Sequence, residues 1–144
     1  MFDVIIMIGR IFFALLWIGA GFAHFKNLDA MTGYAKFKKL PAAKFAVLLS
    51  GLNFLIGGIL ILLGVWIDLA GLLISMTVIL AALIFHQYWR ESDSNTKMQE
   101  QMAFNKDIAL GGAALILFIL AGFGVVTDFG PALSGSLSFF GFEK

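Results

Sequence analysis

The sequence predicts an all-α integral membrane protein: a four-helix bundle, up-down-up-down and antiparallel, with a short interfacial amphipathic segment in the first loop. Three observations carry this. Only 13% of the 144 residues are charged and 60% are hydrophobic, whereas soluble domains are about one-quarter charged, so the chain lacks the charge to coat a water-facing surface. Four apolar runs, Val4–His24, Phe45–Val65, Leu69–Trp89 and Ile108–Thr127, each approach the ~20 residues that a helix needs to cross hydrocarbon. Finally, Lys26, Lys36, Lys38, Lys39, Lys44, Arg90, Lys97 and Lys106 all fall in or beside the first and third connections, which a four-span topology puts on one side. The chain reads as a single domain over residues 1–144.

The first run is read as a span, not a cleavable signal peptide, because no basic segment precedes it and no A-x-A-like site follows. Loop one (25–44) holds Met31, Tyr34, Phe37 and Leu40 at three-residue spacing with lysines between them. That pattern predicts an amphipathic piece lying among the headgroups until Pro41 stops it, serving as an anchor or as a lid and docking surface. Spans two and three are joined only by Trp66–Asp68 and form a tight hairpin. Loop three (90–107) is polar, span four follows, and the tail 128–144 is rich in Phe, Gly and Ser. The lysine asymmetry puts loops 25–44 and 90–107 in the cytoplasm and both termini outside.

In lipid, helices associate through small residues and satisfied polar ones. The expected seams are Arg10, Ala14, Trp17, Gly21 and His24 in span one, and Ala46, Ser50, Asn53, Gly57, Leu60 and Gly64 in span two. Spans three and four supply Leu72, Ser75, Ile79, Ala82, His86 and Trp89, then Phe104, Asp107, Gly111, Ala114, Phe118 and Ala121. Arg10 is expected about 9 Å inside one face and Asn53 about 12 Å inside the other. An extended arginine could therefore reach Asn53, or an anionic ligand, or else snorkel to the headgroups.

His24 and His86 end spans one and three on the same side, where span four begins with Asn105, Lys106 and Asp107. Imidazoles beside a carboxylate and an amide can hydrogen-bond a quinone carbonyl or relay a proton; as alternatives they cap helix ends, with Tyr88 and Trp89 in the interfacial belt. Two histidines are thin support for a metal or haem site, and no metal site is expected. The candidate ligand-binding set is His24, His86, Asn53, Arg10, Trp17, Asn105 and Asp107, with no catalytic residue assigned. The chain has no cysteine, which excludes a dithiol, a disulfide and thiolate metal ligands. A net charge of +1 with no basic soluble surface excludes nucleic acid as a partner.

Four stretches carry a family likeness. They are Arg10 with "GAGFAHF" and a later "LP", "GLNFLIGGILILLG" (Gly51–Gly64), "FHQYW" (Phe85–Trp89), and "FNKDIALGGAAL" (Phe104–Leu115). In this the chain resembles the DoxX family of small four-helix membrane proteins. The resemblance implies a bacterial inner-membrane protein linked to quinone-dependent oxidation or to oxidative-stress complexes with soluble partners. It departs from the family where Asn53 stands in place of a frequent glutamate, and where "NKD" replaces the usual "KN" in the fourth stretch.

Two functions fit these residues. One is a membrane subunit of, or accessory to, a quinone-linked oxidoreductase, with a quinone or other small apolar ligand held in the bundle. The other is a non-enzymatic adaptor whose basic loops and aromatic tail recruit a soluble or membrane partner, since no complete catalytic constellation is present.

Overall fold

The computed structural model describes residues 2–126, 128–132 and 138–141. Five helices follow one another: α1 (Phe2–Lys26), α2 (Leu28–Phe37), α3 (Ala43–Leu63), α4 (Ile67–Phe85) and α5 (Ser94–Gly122), with a 3-10 turn at Tyr88–Arg90. Helices α1, α3, α4 and α5 are each long and apolar enough to cross a membrane. The chain is thus an all-α integral membrane bundle. Its basic end holds α2 and the α4–α5 connection; its tail end holds the α3–α4 turn and residues 128–132 and 138–141.

Helix α1 lies on α3, α3 on α4, and α4 on α5. All four meet in one core, built from Ala14 and Trp17, Phe54 and Ile61, Ala70, Ile74 and Val78, and Ala114. Close approach depends on glycine, because apolar burial gives helices no drive to associate in lipid and backbone proximity must supply the contact. A Cβ on Gly21 would lie 2.8 Å from the Leu55 nitrogen and 2.9 Å from the Gly51 carbonyl oxygen. Gly64, at φ +74°, ends α3 in the left-handed conformation that only glycine adopts without cost.

The face of α3 turned inward differs from the expected one. Val47, Gly51, Phe54, Gly58 and Ile61 are buried, one residue along from the Ala46, Ser50, Asn53 and Leu60 line, although Gly57 keeps its place. Phe54 explains the rotation. It stacks on Trp17 with ring centroids 5.0 Å apart, and burying that pair outweighs burying Asn53.

Helix α2 packs on the bundle through its small residues. Thr32 and Ala35 are its buried residues, and Ala35 packs with Ala43 and Val47 while Leu28, Met31, Leu40 and Phe85 border them. Tyr34 and Phe37, on the apolar stripe expected to lie among the headgroups, are exposed. Small side chains are what let a short helix lie close against α3. The helix ends at Phe37, before Pro41 is reached.

Helix α4 stops at Phe85 instead of running to Trp89. Tyr88 and Trp89 instead pack edge-on to each other and to Phe104 of α5, turning the chain onto the next helix. Helix α5 begins at Ser94, well before Ile108, so most of the polar loop three is helical. Its 29 residues make a helix of about 43 Å, longer than ~30 Å of hydrocarbon, and the polar first turns extend past the bundle.

Asp93 starts α5: its carboxylate accepts from the Thr96 backbone N–H at 2.8 Å and the Thr96 hydroxyl at 2.9 Å. Those bonds, the backbone one foremost, hold the Asp93 carboxyl below its ordinary value. The cap is therefore complete above the unfolded carboxyl value of ~3.9 and is lost as pH falls through the lower folded one. Amide exchange at Ser94–Lys97 is expected to accelerate below pH ~4 beyond its intrinsic pH dependence. Asp93→Asn should remove that acceleration.

Candidate functional site

Asn53 and Thr77 stand near the middle of α3 and α4, where each interrupts an apolar helix. Asn53 Nδ2 donates to Thr77 Oγ1 at 2.9 Å, and the Thr77 hydroxyl donates to the Leu73 carbonyl at 2.7 Å. In hydrocarbon each of these groups needs a partner, and the pair supplies one. Around it opens a groove of about 400 Å³. Its walls include Val47, Leu49, Leu73, Met76, Leu80 and Ala81, with Leu40 and Phe85 at its basic end, and Ser50 is its other polar residue. No lining side chain carries a charge. Cavities that hold small molecules run from about 300 to 1,000 Å³ and are mostly apolar with a few placed polar groups, a description this groove meets.

His24 and Trp17 lie on α1, one on either side of Phe54. The His24 ring packs edge-on to Phe54 at 5.4 Å, and its Nδ1 bonds the Ala20 carbonyl at 2.8 Å. Since a carbonyl only accepts, Nδ1 carries the proton. Trp17 is 3% exposed, and its indole N–H has no partner among the described residues.

His86 turns the other way, toward α5. Its Nδ1 lies 2.8 Å from Glu100 Oε2 and its Nε2 3.5 Å from Asp107 Oδ2, with Lys106 Nζ 3.4 Å from the other Asp107 oxygen. Glu100 and Asp107 are seven residues apart, two turns along one face of α5. The imidazole is 26% exposed, so screening limits the pair to about 1 kcal/mol. His86→Ala should lower stability by about that much and speed amide exchange around Glu100, as the start of α5 loosens from the end of α4.

Arg10 reaches the tail end. Its Nη2 donates to the carbonyls of Leu62 (2.9 Å) and Pro131 (2.7 Å), and Nη1 to that of Phe129 (2.9 Å). The Leu62 carbonyl is one of the last on α3, where the helix dipole favours a cation. Nearby, Asp68 accepts four bonds: from the Leu69 N–H, the Ser138 hydroxyl, and the Phe139 and Phe140 N–H groups, at 2.8–3.1 Å. The carboxylate is wholly buried. An arginine and an aspartate thus hold separate segments of one tail across the end of the bundle.

A family model for DoxX matches residues 5–87, more than half of the chain. The chain belongs to the DoxX family. No curated protein and no solved structure matches it. The matched stretch of this DoxX protein contains Arg10, Trp17, His24, Asn53 and His86; Asn105, Asp107 and all of α5 lie beyond it.

The predicted set of this DoxX chain divides among five places. Asn53 is in the α3–α4 groove, Trp17 and His24 face Phe54, His86 meets Asp107, and Arg10 holds the tail. Asn105 is exposed on α5. Arg10 bonds backbone carbonyls, not Asn53. Thr77, Glu100 and Asp68 are the polar residues that sequence reasoning passed over. Thr77 carries a mid-span signal, a hydroxyl within "SMTVIL", and Glu100 carries a spacing signal relative to Asp107. Asp68 carries only its acidity beside an apolar turn.

Proposed function

We propose that this DoxX protein is a membrane subunit of, or accessory to, a quinone-linked oxidoreductase or oxidative-stress complex, and that it holds a quinone in the α3–α4 groove. The observation that carries this is the groove itself: apolar along its walls, uncharged, and furnished midway along α3 and α4 with Asn53 and Thr77, with Ser50 one turn away. An isoprenoid chain would lie along Leu73, Met76 and Leu80, and the ring would meet the polar group. A phospholipid head is disfavoured there, because no cation lines the groove to receive a phosphate. A photoreactive benzoquinone with a prenyl tail should label peptides of α3 and α4 that line the groove; labelling confined to other segments contradicts the proposal.

The proposed setting is a bacterial inner membrane with both termini outside and the basic end in the cytoplasm. Lys36, Lys38, Lys39 and Lys44, with Arg90, Lys97 and Lys106 near the start of α5, support that orientation. A reporter fused after Lys144 is expected to be active outside, and a cytoplasmic reporter contradicts it.

A second reading, an adaptor that recruits a protein partner, rests on α5. Met98 and Met102 are 56% and 60% exposed on the polar turns of α5, one helical turn apart on one face. Met98→Glu combined with Met102→Glu should release a stoichiometric partner from gently solubilised membranes. If wild type and variant return the same proteins, this reading fails.

A further inference from the structure

The hydrogen-bond directions within the groove say which kind of head it accepts. The Thr77 hydroxyl has one hydrogen, and at 2.7 Å that hydrogen goes to the Leu73 carbonyl. Toward Asn53, Thr77 therefore accepts, and the Asn53 atom 2.9 Å away is the amide nitrogen. This fixes the flip of the side chain. Its carbonyl oxygen, Oδ1, then has no partner among the described residues, and it is not among the polar atoms sealed from the surface. The Ser50 hydroxyl points its own hydrogen at the Val47 carbonyl, 3.0 Å away, leaving oxygen lone pairs open. Against these acceptors the groove offers one spare donor, the second amide hydrogen of Asn53. Water does not reach mid-membrane to satisfy the remainder, and an unmatched acceptor in hydrocarbon is costly.

We infer that the groove selects a ligand whose head donates an O–H, so that a quinol is bound in preference to the quinone. This rests on the quinone reading above and names the redox form it favours. The two forms differ by two electrons and two protons, taken up at the two carbonyl oxygens to make two hydroxyls. The reduced form brings a donor to Asn53 Oδ1; the oxidised form brings a further acceptor to a place already rich in them. One hydrogen bond made in place of one missed corresponds to about tenfold in affinity. Tighter binding of the reduced form by tenfold raises the midpoint potential of the bound two-electron couple by about 30 mV.

The test uses the full chain in nanodiscs, titrated without oxygen with decylubiquinone, decylubiquinol and farnesol, the last a prenyl alcohol with no quinone ring. Wild type should bind the quinol about tenfold more tightly than the quinone, and Asn53→Leu should bring that ratio close to one. Thr77→Val keeps Asn53 but removes the acceptor that orients it, so the ratio should fall below about threefold; this variant retains side-chain volume if Asn53→Leu does not fold. Equal affinity of wild type for both redox forms overturns the inference while the quinone reading stands. Asn53-dependent binding of farnesol with neither redox form bound upholds the preference for an O–H donor and overturns the quinone reading. If none of the three binds, both fall.

Discussion

Asp68→Ala is expected to cost about 3 kcal/mol of stability, because it removes the charged acceptor of several hydrogen bonds at once. The carboxylate is wholly buried at the start of α4 and takes the Ser138 hydroxyl and the Phe139 and Phe140 amides. With alanine there, those donors have no acceptor unless the segment leaves the bundle. Two aromatic contacts leave with it: Phe139 against Trp66 at 5.6 Å and Phe140 against Phe118 at 5.6 Å. The measurement is the thermal midpoint in detergent together with protease cleavage at a site inserted after Lys144. Both a lowered midpoint and faster cleavage are expected. Asp68→Asn keeps the shape and one acceptor oxygen but turns a donor toward a donor, so its loss should lie between wild type and alanine. A midpoint for Asp68→Ala matching wild type would refute the tail's role in holding this end.

The second large effect belongs to Gly71. A Cβ at this position would stand 2.6 Å from the Ala114 carbonyl oxygen and 2.7 Å from the Phe118 nitrogen. Both are backbone atoms in the second half of α5, and neither can move aside as a side chain would. Gly71→Val must separate α4 from α5, opening the packing of Ile74 and Val78 around Ala114. Overpacking of this kind costs typically 1–3 kcal/mol, and about 3 kcal/mol is expected here because rigid backbone opposes it. Gly112 is the control, since nothing lies within 4 Å of where its Cβ would be. Gly112→Ala should be neutral or stabilising by about 0.5 kcal/mol, through helix propensity alone. The thermal midpoints of the two variants should therefore move in opposite directions, or only that of Gly71→Val should move.

These residues also mark where the sequence could be read and where it could not. The spans were legible because ~20 apolar residues have few fates other than crossing a bilayer. The seam of α1 was legible too: Ala14, Trp17 and Gly21 are all buried. On α3 the same reasoning went one residue astray. It assigned the polar side chains to the interior, whereas Phe54 takes that place and Asn53 pairs sideways with Thr77. Polarity alone does not distinguish a bundle axis from a cleft between two neighbours. The length of α5 was hidden because its first turns are polar and hydropathy does not register them; the Asp93 cap with Thr96 three residues on was the available signal.

The anchoring of the tail lay beyond any local pattern. Asp68 and Ser138 are 70 residues apart in sequence, and Arg10 reaches Pro131 across 121. Each partner is a backbone group or a serine, without a motif to advertise it. Within the candidate site, the histidines invited attention by their chemistry, whereas the groove is made by side chains that read individually as ordinary lipid-facing residues.

The most direct test of the groove as a ligand site is extraction of quinones from the protein purified out of native membranes in nanodiscs, counted per chain. Wild type is expected to carry close to one quinone or quinol per chain. Ala81→Phe, which puts a ring into the groove wall, should carry nearly none while eluting and melting as a folded protein. Quinone absent from wild type, or retained equally by a folded Ala81→Phe, would contradict the assignment of the α3–α4 groove.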